Sequence, residues 1–525
     1  MKKFYQSERF MFFRRKNDEN MKYKNIVREA AEELKQGKQN YLSVLYQGLT
    51  LNDKEIVNYA ACQIALYVQG LTSSQIIRLD ETFRECSSME WRIFWEKADV
   101  NVWEKSIEKK EDYLWVLRLG TFHPNGYFRE KCICKLSKDN ESVKFILLRL
   151  NDWVEPVREA AVNVIWNQIP KLNVEELVNC LPYLEKVKHG RRKDRQEFQK
   201  LEAYIADWIQ RHLQKVNLLN FRKYELKARK YLYHILLEHN LLSKEEIVAV
   251  LNWEKNGQCQ AMLMTMLLNH NMLSIEELNV FLKHKSKIVQ RKALEQKYSI
   301  TKNYWEGLEK MLLSSSASIR EQVAYILQKH TKIDVVAYYT ERLETSYKKI
   351  CILGIGEYGN AEDANSLLVY LKDSEETIVK STLRAVSRLW EQKANEIFWE
   401  YLQDKRPVVV RAAFREIAAN HVAYGAKQVY ELFQQTDSAL LREKLAYQFL
   451  RERAWDRLPY VLRLFWYEKE DVRQIIRRGV YGRSLYSKIS KGNAEVIREI
   501  LYNEAYQIPE ELRKGIEFDL KFVVE

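Results

Sequence analysis

The first candidate for chemistry is a glycine motif: residues 354–359 read G-I-G-E-Y-G, the G-x-G-x-x-G spacing of dinucleotide-binding loops. Such glycines let the backbone approach a pyrophosphate, and Asp373, Glu375 and Glu376 follow near where a ribose-binding carboxylate would lie. A dinucleotide site also needs a strand directly before the glycines, and the neighbouring segments follow a helical pattern instead. We therefore interpret the glycines as the end of a helix and its turn, and predict no nucleotide cofactor.

A second candidate, for metal binding, is Cys132-x-Cys134 with His123 nearby. On a helix, residues two apart point about 200° apart, so these two thiols cannot chelate one ion together. The 7 cysteines of the chain are scattered singly through apolar helical patterns, which is typical of buried, reduced thiols. We therefore predict no metal site and a cytoplasmic location, where thiols stay reduced.

The sequence contains no familiar catalytic motif. It has no H-E-x-x-H, no G-K-S/T phosphate loop and no G-x-S-x-G elbow, and its 9 histidines are spread one per predicted helix or turn. His239 and His270 occupy equivalent places just before helix caps, which favours a structural role. We therefore predict that the chain is not an enzyme and needs no cofactor.

The elements that must position any site are predicted to be helices. The 525-residue chain has 16 Gly and 7 Pro, too few for many sheet turns, while 46% apolar residues suffice for a core. No run of about 18 apolar residues occurs, so no membrane span is predicted. Residues 1–21 are basic and aromatic and are predicted to form an N-terminal arm, the alternative being a short membrane-surface or partner-binding helix.

A repeat organises much of the chain. Residues 238–251 and 269–282 match, and Ser243 and Ser274 within them each begin an S-x-E-E capping box at a helix start. Apolar–basic pairs continue the register in steps of 29 to 31 residues, with room in each unit for two helices of about 11 residues. The basic members, here termed the marker residues, are Arg129, Arg158, Arg229, Arg320, Lys349, Lys380, Arg411, Arg442 and Arg473.

These units resemble HEAT repeats, particularly the short bacterial ones also seen in phycobilin-lyase-like proteins. The segments that carry the resemblance are D-W-V-E-P-V-R-E-A-A (152–161), L-G-I-G-E-Y-G (353–359) and D-K-R-P-V-V-V-R-A-A (404–413). The resemblance implies an all-α, armadillo-type fold, a right-handed α-solenoid of antiparallel helix pairs. It implies no single activity. In that family the marker arginine binds an acidic turn residue of a neighbouring unit, a role that Asp404 or Asp373 would fill here for Arg411, Arg442 and Arg473.

The register breaks between Arg158 and Arg229, and the break is strongly basic. Residues 181–230 carry 14 Lys/Arg against 6 Asp/Glu, which is +8 of the chain's +13. We predict a hinge at Lys188–Arg191 in this basic insert. The predicted division is an arm (1–21), a HEAT-like segment (22–185), the insert with a long helix (186–216), a regular solenoid (217–490) and a C-terminal cap (491–525).

Two groups of basic residues are candidates for binding an acidic partner. One is a ladder one helical turn after the markers, at Arg384, Arg415 and Arg477, which Ala446 interrupts. The other is the basic insert. The alternative for such charges is a solvated face that binds nothing. The predicted binding residues are Arg384, Arg388, Arg415, Arg477, Arg478, Arg191, Arg192, Lys193 and Arg195.

Two main functions compete on this sequence. The first is a non-catalytic scaffold or adaptor that grips a partner protein on a curved surface. The second is nucleic-acid binding, which the basic insert, the ladder and a pI near 9.1 favour. Its most specific form would be similarity to the HEAT-like alkylpurine DNA glycosylases, for which Asp152, Trp153 and Arg158 supply the residue types. A lyase-like array that helps to modify another protein is a third alternative.

Overall fold

The computed structural model describes residues 18–85, 94–213 and 218–524. Within these ranges the regular structure is helical, apart from one isolated bridge between Ile489 and Val524. The all-α prediction is therefore confirmed. No helix in these ranges is long and apolar enough to cross a membrane. Of the predicted arm, residues 1–17 lie outside the described residues, and the first described helix begins at Asp18.

The described residues form two compact units, one up to Gln296 and one from Lys297. The helices of unit 1 are α1 (Asp18–Lys35), α2 (Leu42–Gly48), α3 (Lys54–Gln69), α4 (Ser73–Arg84), α5 (Val100–Ser106), α6 (Lys110–Gly120), α7 (Gly126–Lys135), α8 (Val143–Leu147), α9 (Glu155–Gln168), α10 (Val174–Lys188), α11 (Arg195–Leu213), α12 (Leu226–Glu238), α13 (Lys244–Trp253), α14 (Gly257–Asn269) and α15 (Ile275–Phe281). The division between the units falls within α16 (Lys287–Thr301).

Unit 2 continues the series of short helices. They are α17 (Ala317–His330), α18 (Val335–Thr340), α19 (Lys348–Tyr358), α20 (Ala361–Leu367), α21 (Glu376–Leu389), α22 (Ala394–Leu402), α23 (Pro407–Ala419), α24 (Ala426–Gln435), α25 (Ala439–Phe449), α26 (Ala454–Arg463), α27 (Glu470–Val480), α28 (Lys491–Tyr502) and α29 (Glu510–Val523). Short 3-10 segments at Leu308–Leu313 and Leu368–Lys372 extend or replace the first helix of two repeats.

In unit 2 the second helices of successive repeats stack side by side. α19 packs on α21, α21 on α23, α23 on α25 and α25 on α27, while the first helices α24, α26 and α28 form a parallel row. In α21, Val379, Leu383 and Val386 are buried between neighbours, whereas Lys380 and Arg384 are exposed. Because each repeat covers the apolar face of the one before it, the unit is an α-solenoid, as predicted.

Unit 1 shows the same stacking across the basic insert. α7 packs on α9, α10 on α12 and α12 on α14. Residues Lys188–Arg191, where a hinge is predicted, include the turn between α10 and α11, and α11 lies within the predicted insert. Since α10 and α12 contact each other on either side of α11, the insert is built into unit 1, whose division from unit 2 falls about a hundred residues later.

The local signals of the repeat correspond to observed turns. Ser243 and Ser274 each form the complete capping box that their sequences predicted. The preceding helices α12 and α14 end two residues before Asn240 (φ 52°) and Asn271 (φ 49°), which are 31 residues apart. Asparagine tolerates this left-handed conformation better than other non-glycine residues. The repeat therefore ends its helices in the same way in consecutive units.

The glycine motif lies differently from the prediction. α19 runs to Tyr358, so Gly354 and Gly356 are inside the helix rather than in the turn after it. A Cβ on Gly356 would lie 2.6 Å from the Cα of Ala385 in α21, and a Cβ on Gly354 would overlap the buried ring of Tyr339. These glycines let neighbouring helices approach more closely than any side chain allows. No strand precedes them in the described residues, so they form no dinucleotide loop.

Candidate binding surfaces

Several marker residues are buried and hold the turn before their own helix. The fully buried guanidinium of Arg129 donates to the carbonyl oxygens of His123 (2.7 Å) and Pro124 (2.8 Å). It also pairs with Asp152, at 2.7 Å, in the turn before α9. Burial opposes the charge of Asp152, but Arg149 and Arg129 outweigh it, so the pKa of that carboxyl lies below its ordinary value. Arg129 thus ties one repeat to the next.

Two later markers make the same kind of bridge. Arg229 donates to a backbone carbonyl of the preceding turn at 2.7 Å and pairs with the buried Glu254 at 3.1 Å. Arg320 is buried, donates to a backbone carbonyl at 2.8 Å, and its Nε donates to Glu357 at 2.8 Å. In each case the carboxylate belongs to the following repeat. These contacts use the marker charge inside the protein, so it is not free for a partner.

Three further markers are partly buried and bind oxygens close by. Arg158 donates to the carbonyl oxygen of Asp152 at 2.9 Å. Arg473 donates to the carbonyl oxygen of Tyr467 at 3.4 Å, and Arg442 donates to the hydroxyl of the same tyrosine at 3.3 Å. Arg442 also lies 3.6 Å from the carboxylate of Asp437, and Arg473 pairs with Glu470, so these two markers bind a carboxylate of their own turn or helix rather than one in the following repeat.

The remaining markers are exposed: Lys349, Lys380 and Arg411. The acids expected to bind markers are occupied by other cations. Asp404 accepts hydrogen bonds from Arg406 at 3.0 and 2.9 Å, and these bonds lower the pKa of Asp404. Asp373 lies 3.6 Å from Lys348. The expectation that these two acids bind the later marker arginines is therefore wrong, because nearer cations take them.

Exposed cations on three adjacent helices of unit 2 form what we term the cationic stripe. Its members are Lys349, Lys380, Arg384, Arg411 and Arg415. On α21 and on α23 the two cations are four residues apart and share a face, and the three helices α19, α21 and α23 stack in order. None of the five side chains is within ion-pair or hydrogen-bond distance of a described residue. Arg388, the next cation on α21, differs because it pairs with Glu357 at 3.3 Å.

The predicted ladder does not continue evenly beyond α23. Ala446 is fully buried at the equivalent place of α25. In α27 the guanidinium of Arg477 donates to the carbonyl of Phe465 at 3.2 Å and lies 4.5 Å from the ring centre of Trp466. Arg478 is exposed but is separated from the stripe by α25. The structure therefore brings Arg384 and Arg415 together and leaves Arg477 and Arg478 apart from them.

In unit 1, a cavity of about 740 Å³ borders the basic insert. Its lining includes Arg84 at the end of α4, Trp153 before α9, Lys186 in α10, and Arg191 and Arg192 in the α10–α11 loop (residues 189–194). The Trp153 side chain is 59% exposed, which is unusual for so large an apolar group. Both loop arginines are exposed, and neither forms an ion pair with a described residue.

The α10–α11 loop is held in one shape by its own polar groups. The Asn151 side-chain oxygen accepts from the backbone N–H of Arg192 at 2.8 Å, and the same amide lies so close to Gly190 that a Cβ there would overlap it. The ammonium of Lys193 donates to the carbonyls of Lys188 and Gly190 at 2.7 and 2.8 Å. Burial lowers the pKa of Lys193. Lys193, a predicted binding residue, is therefore used to fix the loop.

A network of five charged side chains lies beneath this cavity. Arg149 is fully buried and pairs with Asp152 at 2.9 Å and with Asp80. Asp80 also pairs with Arg84, and Asp152 with Arg129. Burial lowers the pKa of both Arg129 and Arg149. Three arginines against two aspartates leave the network with one net positive charge. Neither Arg84 nor Arg149 is among the predicted site residues, although Arg149 lies within the apolar run I-L-L-R-L, where a lone charge indicates a buried ion pair.

Of the three residues that match the types used by the alkylpurine DNA glycosylases, Asp152 and Arg158 form hydrogen bonds within the protein. Both carboxylate oxygens of Asp152 are bound, by Arg129 and Arg149, and Arg158 donates to the backbone of Asp152 and Trp153. The side chain of Trp153, by contrast, is 59% exposed and lines the cavity. Of the two cysteines weighed as metal ligands, Cys132 is buried and Cys134 exposed; no cluster of three His, Cys, Asp or Glu suited to a metal occurs in the described ranges.

Neither a protein-family model nor a curated protein sequence matches the chain. Among solved structures it is similar to the karyopherin Kap121p in a mutant form (9% identity, 97% of this chain, 54% of that chain, TM-score 0.26) and bound to the SUMO protease Ulp1p (10%, 92%, 52%, TM-score 0.23). A structure described with the interaction between cadherin and beta-catenin matches at 13% identity over 91% of this chain and 98% of that one, with a TM-score of 0.22. Scores this low carry no argument about function.

Proposed function

We propose that the chain is a non-catalytic, HEAT-type scaffold that binds an acidic partner protein on the cationic stripe of unit 2. The observation that carries the proposal is the set of five exposed cations on three stacked helices, without a carboxylate partner in the described part of the chain. Stacked helices lie roughly 8–10 Å apart, and residues four apart on a helix are separated by about 6 Å. The stripe is therefore a regular lattice of positive charge.

The composition of the stripe favours a folded acidic protein surface over single-stranded nucleic acid. No large apolar side chain of α21 or α23 is exposed, so these two helices, which carry four of the five cations, offer no ring on which bases would stack; among the described residues, the one exposed ring beside the stripe is Tyr347 at the start of α19. Charge complementarity without an apolar centre favours fast, salt-sensitive association. The expected binding mode is an electrostatic contact that weakens steeply as ionic strength rises.

A charge-reversal experiment tests the proposal. The variant combines Lys380→Glu, Arg384→Glu, Arg411→Glu and Arg415→Glu. The matched control reverses four exposed lysines of the same unit that lie outside the stripe: Lys427, Lys491, Lys514 and Lys521. Both variants change the net charge equally. Each is used, beside the wild type, to capture proteins from a nuclease-treated extract of the source organism, with quantification by mass spectrometry.

An acidic protein retained by the wild type and the control, and reduced at least tenfold with the stripe variant, is the expected result. Equal retention by the stripe variant would remove the stripe as the binding surface. Capture from an untreated extract that is lost after nuclease treatment would instead favour nucleic acid. A salt titration against random duplex DNA and RNA then measures the number of phosphate contacts from the slope of the binding constant.

A further inference from the structure

The cavity of unit 1 combines an exposed aromatic ring with two unpaired guanidinium groups. Trp153 presents 59% of its side chain to solvent beside the α10–α11 loop, which carries Arg191 and Arg192. An aromatic ring accepts any nucleobase by stacking, and guanidinium groups bind phosphate oxygens in a bidentate manner. These two kinds of group are far from the cationic stripe in sequence and belong to unit 1 alone.

The acids around the cavity are mostly neutralised by neighbouring cations. Asp80 is bound by Arg84 and Arg149, and Glu81 pairs with Lys186 at 2.8 Å. Glu85 also lines the cavity and is exposed. The two loop arginines outweigh it, and the buried network beneath adds one further positive charge. The local balance therefore attracts an anion.

The loop is also preorganised for binding. Its backbone is pinned to Asn151 through the N–H of Arg192, and the Lys193 ammonium bonds two carbonyls within the turn. Gly190 lies against the same asparagine amide, where no larger residue fits. A fixed loop loses little conformational entropy when a ligand binds. The backbone from which the Arg191 and Arg192 side chains extend is thus fixed before any ligand arrives.

We infer that this cavity binds a nucleotide, with the base stacked on Trp153 and the phosphate held by Arg191 and Arg192. Its volume of about 740 Å³ lies within the range of small-molecule sites. The same chemistry is offered by a free nucleotide and by one unit of a single-stranded nucleic acid. No covalent step is involved, because both carboxylate oxygens of Asp152 are bound to arginines.

Fluorescence anisotropy of a labelled twelve-residue oligouridylate, added to the full chain at low salt, tests the inference. Trp153→Ala is expected to weaken binding about tenfold, the typical effect of losing one stacked base. Arg191→Ser with Arg192→Ser is expected to weaken it at least tenfold and to reduce the salt slope by about 1.4. The matched controls are Arg222→Ser, an exposed arginine of the basic segment 181–230 that does not line the cavity, and Trp466→Ala, a half-exposed tryptophan of unit 2. Both are expected to bind as the wild type does.

Competition separates the two sources of the ligand. If AMP or UMP displaces the probe, and calorimetry shows one molecule bound per chain, the ligand is a free nucleotide. If the oligomer binds but neither mononucleotide displaces it, the ligand is a single-stranded nucleic acid. The inference is overturned if Trp153→Ala binds like Trp466→Ala, or if inorganic phosphate competes as well as the nucleotides. Thermal unfolding of each variant shows that it is folded. Capture of an acidic protein through the stripe is independent of all these outcomes.

Discussion

The marker position of the repeat is buried and ion-paired in one region of this molecule and exposed in another. In residues 80–158 of unit 1, Arg129 is fully buried and bound to Asp152, whereas in helices α19 to α23 of unit 2, Lys380 and Arg411 are exposed. Both regions stack helices in the same way. The first is joined by buried ion pairs between repeats. The second is joined by apolar faces and close helix contact, and its cations remain on the surface.

The difference depends on whether a free carboxylate stands at the correct distance along the chain. Arg129 and Arg229 pair with acids 23 and 25 residues later. The corresponding window after Arg411, residues 434–436, reads Gln-Gln-Thr. The window after Lys380 contains Asp404, but Arg406 binds it. Lys380 and Arg411 are therefore exposed where the acid at this distance is already occupied or missing.

The largest effect is expected from breaking the buried bridge of unit 1. Arg129→Ala leaves Asp152 with only part of its compensation and frees two buried carbonyls, so it should lower the free energy of unfolding by about 3–5 kcal/mol. The matched variant Arg411→Ala removes an exposed cation and should change it by less than about 0.5 kcal/mol. Urea denaturation followed by circular dichroism, with hydrogen exchange of residues 123–152, measures both. Equal losses would show that the two positions do not differ in role.

The second prediction concerns the close helix contact of unit 2. Gly354→Ala forces a methyl group into the ring of Tyr339, which is buried and held by its hydroxyl on the Leu312 carbonyl, and should cost about 1–3 kcal/mol. Gly515→Ala, in the interior of α29 with no atom near the new methyl group, should instead stabilise by about 0.5–1 kcal/mol. Thermal unfolding of the pair gives the sign. A stabilised Gly354→Ala variant would contradict the account of the glycine motif.

Local signals in the sequence predicted the fold. Which charged side chains remain exposed at the candidate site depends instead on contacts between residues of different helices. The period, the capping boxes of Ser243 and Ser274 and the scarcity of glycine and proline follow from short-range geometry, which the sequence displays directly. Gly354 was misplaced because its partner, Tyr339, lies on another helix. Whether Asp404 binds Arg406 or a marker residue likewise depends on which cation lies nearer to its carboxylate in the folded chain. Spacing alone does not encode that competition.

The same comparison predicts that unit 1 is sensitive to acid. Burial, together with the charge of Arg129, lowers the pKa of His123 to about 3, while an unfolded histidine has a pKa near 6.5. Between these values the unfolded chain binds a proton that the folded chain does not, so stability falls as pH falls, by about 1.4 kcal/mol per pH unit. At pH 5 His123 should therefore have removed about 2 kcal/mol relative to pH 7.

Replacing this imidazole isolates its contribution. His123→Asn keeps a side-chain oxygen that can accept from the N–H of Asn125, as the ring nitrogen does at 3.0 Å, and it does not titrate. The loss of stability between pH 7 and pH 5 should shrink by about 2 kcal/mol in this variant. His421→Asn, at an exposed turn of unit 2, is the matched control for the substitution itself. The urea midpoints of unfolding at pH 7 and pH 5 measure the loss of stability in each variant. If His123→Asn loses as much stability between these pH values as the wild type does, other groups cause the acid sensitivity of unit 1.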